Sequence, residues 1–190
     1  VIDPANDRYL KQGPIIDPDH LLDLRSVKIS IDGALGSRGA ALFEDYSDKP
    51  GHKGLLLMND KQLEHHMGRW MDAGFQVNTH AIGDLANAKV LDYYEQLIPK
   101  YDSGDLRHRI EHSQILRVED IPRFKAMSVI ASIQPTHATS DKNMAGDRLG
   151  QSRLEGAYVW KKFLDSGAAM AGGSDFPVES PNPFYGLHAA

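Results

Sequence analysis

His80, His112 and Asp175 each stand where an apolar run gives way to small or turn-forming residues, in FQVNTHAIGD, RHRIEHSQ and AAMAGGSDFPVESPNPF. Two imidazoles and one carboxylate, delivered from the ends of successive strands, suit a divalent metal that keeps a position open for water. That is the chemistry of a hydrolase. Each residue alone has a plainer reading, as a hydrogen-bonded core histidine or as a turn aspartate ahead of Pro177. The conjunction of the three favours a site.

Lys28, in SVKISID, extends the set. The period of two places Val27, Ile29 and Ile31 on one face of a strand and Ser26, Lys28, Ser30 and Asp32 on the other. With the apolar set against covering helices, Lys28 points inward, where a bare ammonium is costly. Two resolutions stay open: an ion pair with an acid such as Asp32, or carbamylation by carbon dioxide to an anionic, metal-bridging ligand. His80 shares a face with Gln76 and Asn78. His112 falls with Ile110 and His108, opposite Glu111, and the deeper His108 reads as structural. Ala169, Ala171 and Gly173 share the face of Asp175 and leave space around it. Arg38, in the glycine-rich DGALGSRGA, and His137, in QPTHATSD, are candidate substrate contacts. That loop lacks the Gly-Lys-Ser/Thr ending of a phosphate-binding loop, and its glycines read most simply as a tight turn with positive φ.

The elements that must position these groups follow from periodicity. Apolar, β-rich runs at 25–31, 75–80, 107–112, 128–134 and 168–173 alternate with helical stretches at 59–73, 84–101, 119–126 and 154–166. The first helix has an Asn or Asp cap, and Gly167 stops the last. Alternation implies parallel strands with right-handed crossovers, hence a doubly wound sheet or a (β/α)₈ barrel. A barrel collects side chains from many strand ends at one mouth, so the expected fold is α/β, the later part of a (β/α)₈ TIM barrel with five βα units.

Composition narrows the function. The 190 residues are 41% hydrophobic, enough for a core, and the net charge of -5 with no basic run argues against nucleic-acid binding. No stretch is long and apolar enough for a membrane span, and VIDPANDRYL lacks the apolar centre of a signal peptide. With no cysteine, any metal must be held by nitrogen and oxygen. A cytoplasmic location is the default. The chain opens on Val1 rather than Met, so a piece of a longer protein is expected.

Taken together, the motifs VKISIDGALGSRGA, VNTHAIGDLANAKVLD, RHRIEHSQ, SIQPTHATSD and RLEGAYVWKKFLDSGAAMAGGSDFPVESPNPF give a chain that resembles the amidohydrolase superfamily. The resemblance is to amidohydrolase family 3, the branch with N-substituted formamide deformylase-like proteins. It implies a metallo-dependent hydrolase barrel with a smaller β domain and one or two divalent metals, commonly zinc. By position it makes Lys28 the carbamylated bridging lysine of the fourth strand, His80 and His112 the histidines of the fifth and sixth, and Asp175 the aspartate of the eighth. Carbamylation of Lys28 is then the favoured resolution. The sequence departs from the family pattern in having no His-X-His, in Gly39 where Thr is common, and in Leu85 where Arg is frequent.

The expectation is therefore a partial amidohydrolase barrel domain over 1–190, without the first strands and the C-terminal β-domain segment. Its parent would hydrolyse C–N bonds of small amides, formamides or cyclic amides, with Asp175 as general base and acid; this piece alone is expected to be inactive. A non-catalytic barrel remnant with an interaction or regulatory role is the alternative, and a metal-free sugar- or phosphate-binding barrel ranks last. Open sheet edges predict association with another copy or with the rest of the chain.

Overall fold

The computed structural model describes residues 7–19 and 21–190; residues 1–6, the start of the VIDPANDRYL stretch that lacks the apolar centre of a signal peptide, lie outside it, as does His20. Five strands form one sheet in sequential order: β1 (Ser26–Ser30), β2 (Gln76–Ala81), β3 (Arg109–His112), β4 (Ile130–Ile133) and β5 (Met170–Gly172). Every pairing is parallel. A doubly wound sheet reverses its strand order at a switch point, whereas sequential parallel order with intervening helices is that of a barrel wall. The sheet is part of a (β/α)₈ barrel, with β1 and β5 at its edges.

Helix α1 (Asp7–Gln12) precedes β1, α2 (Asp60–Asp72) follows it, and α3 (Asp84–Lys100) links β2 to β3. After β3 come α4 (Ile121–Ala126), then α5 (Pro135–Ser140), α6 (Ala145–Leu149) and α7 (Trp160–Ser166) between β4 and β5, and α8 (Pro183–Ala189) at the end. The cap expected on α2 is a capping box: Asn59 Oδ1 accepts from Gln62 N–H and Gln62 Oε1 accepts from Asn59 N–H, both at 3.0 Å. The helix expected at 154–166 is shorter. Residues Gln151–Gly156 form a 3₁₀ turn and Tyr158 is left-handed (φ 53), so α7 begins only at Trp160. Gly167 (φ 75) stops it as expected, donating its N–H to Leu164 O at 3.0 Å. The polar QPTHATSD segment forms α5, with Pro135 in its first turn, where a missing N–H costs nothing.

The apolar face of the sheet, Val27, Ile29, Val77, Ile110 and Ala131, is buried against Met67 and Trp70 of α2, Leu91 and Tyr94 of α3, Phe124 of α4 and Phe163 of α7. Trp70 meets Phe75 edge to face at 5.0 Å between ring centroids, and Phe124 meets Phe163 at 4.9 Å. Each such ring contributes about 2–3 kcal/mol by burial alone. A second cluster, including Leu35, Leu42, Tyr46, Ile82, Ile115 and Leu149, packs the loops beyond the strand ends. It anchors the segments that carry the candidate site. Among the described residues no helix is long and apolar enough to cross a membrane.

Candidate functional site

The parallel register aligns Ser30, His80, Glu111 and Ser132 across four strands, and Lys28, Asn78 and Arg109 one step below. These rows form the polar face opposite the helices, so Lys28 and His80 point where the period of two puts them. The ion pair of Lys28 with Asp32 does not form. Asp32, buried to 2% exposure, accepts at Oδ2 from Ala41 N–H (2.9 Å) and Gly83 N–H (2.8 Å), and at Oδ1 from Ile82 N–H (3.0 Å). Its Oδ1 also lies 3.4 Å from His80 Nε2. Past the end of β1, three converging amides satisfy the carboxylate without an ammonium.

His112 reaches the site by a different route from the one its spacing predicts. Ile110 lies in the helix-facing core, and His108 is on the same side: its Nδ1 accepts from Val77 N–H at 3.0 Å and its ring stacks on Tyr94 of α3 at 5.5 Å. His108 is structural, as expected. Glu111 is the inward residue, with Ser132 Oγ donating to its Oε2 at 2.5 Å and Arg109 Nε 2.9 Å from its Oε1. Plain alternation would send His112 outward with Ile110. Left-handed backbone at His112 (φ 79) and Ser113 (φ 44) breaks the alternation and sets its ring edge to face against His80, 4.4 Å between centroids. Such conformations cost roughly 1–3 kcal/mol each for residues with a side chain and persist where the surroundings enforce them.

The ring of His112 is fixed at its other nitrogen. Nδ1 donates to Gln134 Oε1 at 2.7 Å, which leaves the Nε2 lone pair free. Burial chiefly, then the neighbouring His80 with Lys28 and His137, holds its pKa down to about 3. His112 is therefore neutral near pH 7, the form that binds a metal.

His137, on α5, stacks on His112 with centroids 6.1 Å apart, and its buried Nε2 has no hydrogen-bond partner. Arg38 is engaged: Nε and Nη2 donate to Asp48 at 3.0 and 2.8 Å, and Arg148 joins the same carboxylate. The positive φ expected for the loop glycines belongs instead to Arg38 (φ 59). Gly33 and Gly39 serve close approach, since a Cβ on Gly33 would lie 3.3 Å from Gly39 Cα. Asp175 (φ 54) lies exposed in the turn after β5, closed by Val178 N–H to Asp175 O at 2.9 Å.

The structure thus brings His80, His112 and His137 together, with Lys28 on the same face as His80, and leaves Asp175 apart. Among the described residues, no three His, Asp or Glu side chains converge as a group that could hold an ion. His80 and His112 nevertheless fit the nitrogen part of a metal site. Their rings adjoin at strand ends, and His112 is neutral with one nitrogen free. Asp32 is the group that spacing missed; its signal was a lone acid directly ahead of a glycine-rich loop.

The sequence profile of the amidohydrolase family matches residues 6–190. Protein LONG AFTER FAR-RED 3 of Arabidopsis thaliana is 36% identical over 97% of this chain, and YtcJ of Bacillus subtilis (strain 168) is 38% identical over 98%. The chain spans only 31% and 34% of those two proteins. Among solved structures, an uncharacterized metal-dependent hydrolase from Pyrococcus horikoshii OT3 superposes on 100% of the chain with a TM-score of 0.88 at 30% identity, the chain covering 38% of it. One from Pyrococcus furiosus matches 98% of the chain with a TM-score of 0.84, also at 30% identity and 38% coverage. A profile match over nearly the whole length, with conserved architecture in both solved relatives, shows that this chain belongs to the amidohydrolase family.

Proposed function

We propose that the protein containing this chain is a metal-dependent hydrolase of C–N bonds in amides, formamides or cyclic amides. The observation that carries the reading is the contact of His80 with His112 at adjacent strand ends, 4.4 Å between ring centroids. Similarity to two metal-dependent hydrolases supports it. His80 and His112 would hold a divalent ion, zinc in the first instance, and Lys28 as a carbamate would bridge a second. A divalent metal supplies Lewis acidity, which lowers the pKa of water and polarises a carbonyl.

The chain's own groups do the rest. Gln134 holds the proton of His112 on Nδ1 and so keeps Nε2 available. Asp175 takes a proton from the attacking water and returns it to the leaving amine as general acid. This role requires the turn after β5 to face the histidines in the complete protein. His137, whose buried Nε2 lacks a partner, is the better supported substrate contact, and Arg38 the second. The full-length protein, stripped of metal and reloaded with zinc, should hydrolyse at least one of a panel of N-substituted formamides, N-acyl amines and cyclic amides. Hydrolysis equally fast without metal would contradict the reading.

The second reading is a non-catalytic barrel with an interaction or regulatory role. The lack of a converged three-ligand group among the described residues favours it. A full-length protein that binds no zinc and turns over nothing in the panel is the outcome it predicts.

A further inference from the structure

We infer that Asp32 is a positioning residue for His80: its carboxylate keeps the ring proton on Nε2 and thereby leaves Nδ1 as the free nitrogen. The inference rests on the proposed metal site for its purpose, though its geometry stands independently. Asp32 cannot swing away to find other partners, because Ala41, Gly83 and Ile82 amides hold both its oxygens at 2.8–3.0 Å. His80 Nε2 is buried without a hydrogen bond, and Asp32 Oδ1 stands 3.4 Å from it. That distance exceeds an ordinary hydrogen bond but is close enough for charge to decide the tautomer. A lone pair on Nε2 would face the carboxylate and be repelled, whereas an N–H there is attracted. A neutral imidazole carries one proton, so Nδ1 keeps its lone pair.

The neighbouring ring has the opposite arrangement. Gln134 takes the Nδ1 proton of His112 and frees its Nε2. Two adjacent imidazoles are thus held in complementary tautomers by different side chains, one carboxylate and one amide. Asp32 also has a structural part. The same carboxylate ties the loop residue Ala41 to Ile82 and Gly83, the turn directly after β2.

The test is nitrogen NMR of the full-length, metal-stripped protein labelled with ¹⁵N-histidine, with zinc alone then titrated against a competing chelator. Wild-type His80 should carry its proton on Nε2 and His112 on Nδ1. Asp32→Asn should mix the His80 tautomers, leave His112 unchanged and weaken zinc binding by about 10–100-fold, the usual cost of losing a carboxylate behind a metal-binding histidine. A His80 lone pair on Nε2 in the wild type overturns the inference without any variant having to fold. An unchanged tautomer in folded Asp32→Asn overturns it as well. If neither protein binds zinc but the tautomers behave as stated, the positioning role stands and the metal reading fails.

Discussion

His80 leaves β2 into a turn held on two sides, whereas Asp175 leaves β5 into an exposed turn closed by a single backbone hydrogen bond to Val178. Around the first turn, Asp32 gathers the Ile82 and Gly83 amides, and Asn87 Nδ2 lies within 3.3 Å of the carbonyls of Ala81, Ile82, Gly83 and Ile115. The two strands differ in setting. β2 has a paired neighbour on each side, while β5 pairs with β4 alone among the described residues. A strand end becomes a preorganised site where flanking strands and loops converge on it, and the residue type at that end is not sufficient.

The two strand ends should differ most in chemistry. In the full-length protein, His112→Asn should lose both zinc affinity and turnover, whereas Asp175→Asn should lose about 10²–10⁴-fold in turnover while keeping its zinc, the range expected for a general acid–base group. Paired zinc titrations and rate measurements check this; full activity in Asp175→Asn would remove it from the mechanism. The next largest effect is steric. A Cβ on Gly83 would sit 2.0 Å from Ala41 O, while one on Gly173 meets nothing within 4 Å. Gly83→Ala should cost about 3 kcal/mol or more in a denaturation experiment, and Gly173→Ala within about 0.5 kcal/mol.

A pH effect comes next. Burial holds the pKa of His108 down to about 4, well below the ordinary 6.5. Above pH 6.5 both folded and unfolded states carry a neutral ring, so its contribution is complete. Below 6.5 the unfolded chain takes up a proton that the folded one refuses, and stability falls by about 3 kcal/mol until pH 4. His108→Gln should flatten that limb of the stability–pH curve by one proton. The smallest effect is at Gln134: Gln134→Leu removes the acceptor of the His112 proton and should weaken zinc binding by about 10–100-fold.

Much of the fold was legible because period-two and helical patterns report which face meets the core. β1 shows this directly, with Val27 and Ile29 buried and Lys28 turned to the polar side. The site was legible less completely, since its key geometry sits where periodicity ends. His112 lies at the position where the strand goes left-handed, so counting by twos put it beside Ile110 and on the wrong face. Spacing offers Asp32 only as one possible counter-ion for Lys28, because it shows charge but not the three amides that later loops bring to the carboxylate. Arg38 shows the same limit, its partner Asp48 lying ten residues onward across a folded loop. Local pattern predicts orientation along a strand; partners delivered by loops depend on packing.

If His80 and His112 hold the metal of a hydrolytic site, the zinc bound per chain in the full-length protein depends on them. Wild-type protein should bind at least one zinc ion, and the double variant His80→Asn, His112→Asn, still folded, should lose it. Equal zinc content and affinity in the two proteins would contradict the account.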